Sequence, residues 1–283
     1  MGPTKPFREK IKSEVRKRYS GLITQEKGGS CCGPSSPCCA PAPAKERLVN
    51  LADYSDTELN SVPSEAAANS FGCGNPLAFA GVKEGQTVLD IGSGAGIDCF
   101  LAAQKVGKTG RVIGLDMTPE MVEKAKRNAA KGGFANVEFR LGEAEAMPVK
   151  NASVDWIISN CVINLSPDKP KVFREMARVL KSGGRFSISD IVLGDDLPER
   201  IANNMRAWTS CIAGAIRETE YLEGLRKAGL EDVTVESRVV YDRAVIMHFL
   251  NSLDSIGKAR VSEEALEKIQ GNIWSAKIKG KKK

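Results

Sequence analysis

The chain is predicted to be an α/β protein, a mostly parallel sheet with helices on both faces and a small α+β part at its C-terminal end. From Gln86 onward, short β-rich runs alternate with helical periods: TVLDI, GIDCFLAAQKV, RVIGLD, PEMVEKAKRNAAK, VEFRLG, VDWIISN, KVFREMARVL and GRFSISDIV. Such alternation implies crossover connections and therefore a parallel sheet. Breakers fall at the divisions: Gly110 precedes a strand, Pro119 opens a helix and Ser182-Gly183-Gly184 closes one. A length of 283 residues is enough to bury a sizeable core without disulfide staples.

Before the sheet, Phe7, Ile11 and Val15 recur at helical spacing among basic residues, so residues 5–19 read as an amphipathic helix with a structural role. Residues 28–44, GGSCCGPSSPCCAPAPA, offer nothing with which to build a core and read as a mobile segment carrying cysteines. After Asp190, helical patterns near Leu197–Ser210 and Thr219–Ala228 lead to a β-rich run at Val233–Tyr241. The expected division is an N-terminal helix (1–27), the cysteine segment (28–44), a main domain (45–200) and a C-terminal part with a basic tail (201–283).

The net charge of +6 resides at the two ends, since residues 1–20 hold 7 Lys/Arg against 2 Asp/Glu and residues 277–283 hold 5 lysines. The body is left net negative, which argues against a nucleic-acid groove, and the lysine run reads as a solvated tail. No apolar run approaches the roughly 18 residues that a membrane helix needs. Glycine, cysteine and proline, not an apolar signal core, follow the basic N-terminal stretch, so a cytoplasmic location is expected. The single histidine, His248, lies in the apolar run AVIMHFL and reads as packed in a strand.

Asp90-Ile91-Gly92-Ser93-Gly94-Ala95-Gly96 is a buried strand running into a glycine turn and a helix. Such a turn lets backbone approach a ligand at the carboxyl end of the first strand. A dinucleotide fingerprint starting at Gly92 would need glycine at position 97, which is Ile97, and no Lys-Ser/Thr pair closes a P-loop.

This motif resembles the first motif of class I S-adenosylmethionine-dependent methyltransferases, and the likeness extends over about residues 86–195. Asp116 then stands where the family's acid takes the ribose hydroxyls, and Met117 where an apolar side chain packs on adenine. Gly142-Glu143-Ala144-Glu145 ends the third strand, where an acid and backbone meet the adenine amino group. Ser159-Asn160 ends the fourth, facing the methionine part of the cofactor. The resemblance thus implies S-adenosylmethionine as cofactor, held by Asp90, Gly92, Ser93, Gly94, Gly96, Asp116, Met117, Glu143, Ala144 and Asn160.

The cysteines bear on the substrate. Eight in a cytosolic chain suggest metal binding or redox chemistry before structural disulfides. Cys99 sits in an apolar helical period and reads as a small core residue. Cys73 is framed by glycines, Cys161 follows the fourth strand on the lip where a methyl acceptor belongs, and Cys211 lies in a later segment able to fold over that lip. GCGNP, NCVINL and CIAGA around them closely resemble the arsenite methyltransferases. That resemblance implies that Cys161 and Cys211 hold trivalent arsenic, with Cys73 as third ligand or redox partner. Cys31, Cys32, Cys38 and Cys39 would help capture or reduce, and which of them partners Cys73 stays open. It further implies arsenite as substrate, a role in arsenic detoxification, and a thiol reductant such as thioredoxin or glutathione. Two other readings remain: a methyltransferase of a small metabolite, similar to quinone C-methylases, and a non-enzymatic thiol buffer. The paired cysteines lack the C-x2-C spacing of a zinc site, which counts against the buffer.

Overall fold

The run TVLDI becomes an interior strand of a seven-stranded sheet. A computed structural model of the chain describes residues 4–24, 54–68, 74–78, 80–197, 208, 211–251, 267 and 269–283. Among them the strands are β1 (Thr87–Ile91), β2 (Arg111–Asp116), β3 (Val137–Leu141), β4 (Val154–Asn160), β5 (Leu180–Leu193), β6 (Leu230–Val240) and β7 (Ile273–Lys282), in spatial order β3-β2-β1-β4-β5-β7-β6. β1 to β5 pair in parallel, and β7 runs antiparallel between β5 and β6. The helices are α1 (Lys5–Thr24), α2 (Asp56–Asn60), α3 (Ser64–Ala68), α4 (Ile97–Val106), α5 (Pro119–Gly132), α6 (Lys169–Val179), α7 (Glu218–Lys227) and α8 (Arg243–Asn251). The strand order reverses between β1 and β4, which opens a crevice at their carboxyl ends.

Side chains of a strand point alternately to its two faces, and β1 serves one core on each. Val88 packs with Val112 and with Phe100 and Val106 of α4. Leu89 and Ile91 pack with Phe173 and Met176 of α6 and with Tyr221 of α7. In α6, Val172, Phe173, Met176 and Val179 are buried at helical period, and the Asp168 side chain caps the first turn by accepting from the Lys171 N–H. Pro119 does open α5, and Gly133, at φ 70°, ends it by donating to the carbonyls of Ala129 and Ala130.

The lysine run is not a solvated tail. Lys277–Lys282 belongs to β7, inserted between two other strands. Ile278 and Gly280 alternate with the lysines, and a Cβ at Gly280 would come within 2.7 Å of Phe186. Lys279 and Lys281, on the other face, pair with Glu236 and Asp232 of β6. Charge density concealed a strand of period two. The C-terminal part therefore completes the same sheet as the main domain.

Other expectations need smaller corrections. Helix α6 ends at Val179, and Ser182-Gly183-Gly184 lies within β5, where the pairing jumps from Val154↔Leu180 to Trp156↔Arg185. His248 is in helix α8, not a strand; a short apolar run does not distinguish the two. In α1, Ile11 and Val15 are buried as expected but Phe7 is 40% exposed. The helical pattern of Thr219–Ala228 and the β run of Val233–Tyr241 appear as α7 and β6. Residues 28–44 and most of the stretch Leu197–Ser210 lie outside the described residues.

Candidate active site

The glycine turn follows β1 at the reversal point of the sheet. Gly92, Gly94 and Gly96 all have positive φ, at 76°, 52° and 100°, a region that disfavours any Cβ. Their surroundings differ. A Cβ on Gly92 would lie 2.2 Å from Val162 and one on Gly96 would lie 2.8 Å from Phe100, whereas one on Gly94 would meet nothing within 4 Å among the described residues. The cleft in front of the turn is lined by Gly92, Ser93 and Gly94 and by residues from the ends of β2, β3 and β4. Ser93 is buried there.

Asp116, at the end of β2, projects into this cleft. Its Oδ2 accepts from the Gly94 N–H at 3.0 Å and its Oδ1 from the Thr118 N–H at 2.8 Å. The carboxylate is thus fixed in orientation while keeping lone pairs for a ligand. Burial raises its pKa, and these backbone donors oppose the rise. Met117, Ala144 and Asn160 also line the cleft.

Asp90, Gly96 and Glu143 are not brought to the cleft wall. Asp90 is buried and accepts from the Cys99 thiol at 3.2 Å, and Gly96 packs against Phe100. Cys99 is free and buried, as expected of a core residue. Glu143 is occupied by α1: Lys12 reaches Oε2 at 2.6 Å and Arg16 reaches Oε1 at 2.7 Å. Glu145 lines the cleft instead and accepts from Ser166 Oγ at 2.6 Å.

Sequence reasoning missed two groups. The first is α1, whose Lys12, Val15 and Tyr19 close one side of the cleft. Ile11 and Val15 are buried beneath it, each contributing about 1.5–3 kcal/mol to its docking. The second is a polar cluster in which Tyr54 donates to Asp98 Oδ1 at 2.7 Å and Asn160 Nδ2 reaches the Tyr54 hydroxyl at 3.0 Å and Asp98 Oδ2 at 3.3 Å. Burial raises the pKa of Asp98, and the Tyr54 and Asn160 donors hold it down. An acid two residues after the last glycine was a visible signal; Tyr54 had none.

Cys161 and Cys211 are brought together in one apolar cluster beside the cleft, and Cys161 lines it. The Cys211 thiol donates to the Cys161 carbonyl at 2.8 Å. Both are buried and both hold positive φ, 56° and 63°, a strained region for a residue with a Cβ. Cys161 lines the cleft and is disulfide-bonded, while Cys211 is free. Burial drives the Cys211 pKa far above its ordinary value. Cys73, Cys31, Cys32, Cys38 and Cys39 lie outside the described residues.

Residues 82–229 match the family described as Methyltransferase domain. The chain is 34% identical to an arsenite methyltransferase of Aquipseudomonas alcaligenes over 87% of its own length and 69% of that protein's. This chain belongs to the arsenite methyltransferase family. An arsenite methyltransferase of Halobacterium salinarum is 45% identical over 80% of the chain, which spans 59% of that protein's length. The crystal structure of an arsenic(III) S-adenosylmethionine methyltransferase from Chlamydomonas reinhardtii superposes with a TM-score of 0.63 at 29% identity, covering 86% of this chain and 75% of that one. The seven-stranded arrangement is the class I methyltransferase fold. Among the described residues no helix is long and apolar enough to cross a membrane.

Proposed function

We propose that this chain transfers a methyl group from S-adenosylmethionine to trivalent arsenic held by cysteine thiolates. The observation that carries the proposal is the contact of the Cys211 thiol with Cys161, which lines a cleft built from the glycine turn and Asp116.

The cleft fits the cofactor on two counts. Gly94 leaves space against the backbone, and Asp116 offers a fixed carboxylate. Asp116 would accept from the ribose hydroxyls, Met117 would pack on adenine, and Asn160 would orient the methionine end. Glu145 lines the cleft where Glu143 does not, and would be the acid available to the adenine end. When bound, the cofactor supplies an electrophilic methyl on a sulfonium centre.

Thiolates are suitable ligands for soft arsenic. Arsenic(III) held by sulfur keeps its lone pair, so no side chain need act as general base on the acceptor, and the chain supplies orientation and proximity. Because Cys161 is in a disulfide, a dithiol reductant such as thioredoxin, or glutathione, must first return two electrons and two protons to free its sulfur. Arsenic K-edge absorption on the reduced protein with arsenite tests the ligation. A sulfur-only first shell that loses one sulfur in Cys161→Ser and one in Cys211→Ser supports it. An unchanged shell in both variants refutes it and favours a small-metabolite acceptor.

A further inference from the structure

Among the described residues the cleft wall carries four charged side chains, Lys12, Asp98, Asp116 and Glu145. Lys12 stands 3.5 Å from Glu145, beyond the end of β3. Asp116 is fixed at the end of β2 by the Gly94 and Thr118 N–H groups, where it suits the ribose. Asp98, in the first turn of α4, remains. It is 4% exposed, and its hydrogen bonds come from neutral groups: the Tyr54 hydroxyl donates to Oδ1 at 2.7 Å and the Asn160 amide to Oδ2 at 3.3 Å. The Asn160 side chain is held in turn, its Nδ2 donating to the Gly74 carbonyl at 2.5 Å and its Oδ1 accepting from the Gly74 N–H at 3.2 Å. A carboxylate offers about four acceptor sites, so Asp98 is fixed in orientation with capacity to spare on the cleft wall. The N-terminal end of α4 favours its ionised form, yet a buried anion without a counter-charge is costly. No lysine or arginine among the described residues pairs with it. The occupant that completes this site is a cation.

We propose that Asp98 binds the α-ammonium group of S-adenosylmethionine, with Tyr54 and Asn160 holding the carboxylate in place. This rests on the placement of the cofactor's methionine end at Asn160. Asp98 is bonded to Asn160, the residue before Cys161, so the ammonium is anchored beside the arsenic-binding part of the cleft, while Lys12 and Glu145 lie toward the adenine end. An ammonium group brings three donors and one positive charge. A charge-assisted bond to a fixed carboxylate sets where the methionine chain lies, and with it the sulfonium methyl that must meet the acceptor. The same contact selects among ligands, because one that lacks the amine leaves the buried carboxylate unpaired.

The test is calorimetric titration of the full chain at pH 8 with S-adenosylhomocysteine and with its desamino analogue, in which hydrogen replaces the ammonium, for wild type, Asp98→Asn and Asp116→Ala. Wild type is expected to bind S-adenosylhomocysteine about 10- to 100-fold more tightly than the analogue. In Asp98→Asn that preference should fall to about threefold or less, with the analogue bound as in wild type. Asp116→Ala should weaken both ligands alike. A wild type without the preference, or an Asp98→Asn variant that weakens both ligands equally, overturns the role of Asp98. If Asp98→Asn keeps the preference while Asp116→Ala weakens both ligands, only the Asp98 proposal falls. If neither variant changes either ligand, the cofactor lies elsewhere and the placement falls with it. Should Asp98→Asn fail to fold, a crystal structure of wild type with S-adenosylhomocysteine decides: an ammonium nitrogen within about 3.2 Å of an Asp98 carboxylate oxygen is expected, and a longer separation overturns the proposal.

Discussion

Lys12 of α1 and Glu143 at the end of β3 are joined at 2.6 Å, and Arg16 reaches the same carboxylate at 2.7 Å. A helix from the start of the chain is thereby pinned across the cleft that β1, β2 and β4 open. Burial opposes the charge on Lys12, but Glu143 and Glu145 outweigh it and raise its pKa. Such partly exposed pairs contribute up to about 1 kcal/mol each and weaken with salt. Replacing Lys12 and Arg16 together by alanine should speed release of S-adenosylhomocysteine by about three- to tenfold in stopped flow. The wild-type rate should rise with ionic strength toward that of the variant.

Asp116→Ala should weaken cofactor binding by tenfold or more, since a hydrogen bond to a charged group contributes about 1.5–3 kcal/mol. Arsenite binding should be largely retained, because the carboxylate and the thiols are separate sites. Calorimetric titration with each ligand checks this; parallel loss of both in a folded variant contradicts the division.

The glycine turn gives a contrast between neighbours. Gly92→Ala forces a methyl to within 2.2 Å of Val162 and should cost several kcal/mol of stability. Gly94→Ala meets nothing within 4 Å and should cost about 1 kcal/mol for its positive φ, while its methyl intrudes on the cleft. Urea unfolding should separate the two, and cofactor affinity should fall in Gly94→Ala out of proportion to its stability.

Most of the sheet was legible because its signals are local. Strand, turn and helix follow one another within a few residues, and Asp116, Met117 and Ala144 sit at strand ends where the motif order places them. What was illegible depends on partners distant in sequence. The helix 5–19 showed its apolar stripe but not that the same helix carries Lys12 and Tyr19 to the cleft. Glu143 and Glu145 are equivalent in sequence, and only the fold shows that Lys12 and Arg16 of α1 clasp the first while the second, farther from Lys12, lines the cleft. The lysines of β7 read as solvated because their acidic partners lie some forty residues earlier, on β6.

Asp190 supplies a pH test. Burial pushes its pKa up to about 7, against the pull of Lys169, from an unfolded value near 3.9. Its contribution is therefore fully present below about pH 4 and is lost as pH rises through about 7. Asp190→Asn removes this dependence. Relative to wild type, its unfolding free energy should improve on going from pH 5 to pH 7.5 by on the order of 2–4 kcal/mol. A difference that is constant across that range would mean Asp190 is ionised throughout.

The most direct measurement is single-turnover transfer of labelled methyl from S-adenosylmethionine to arsenite with a thiol reductant, beside Cys161→Ser and Cys211→Ser and with cofactor binding measured in each. Methylated arsenic from the wild type, lost in both variants while cofactor binding persists, is the expected result. Wild-type transfer in both serine variants would contradict thiolate ligation beside the cleft.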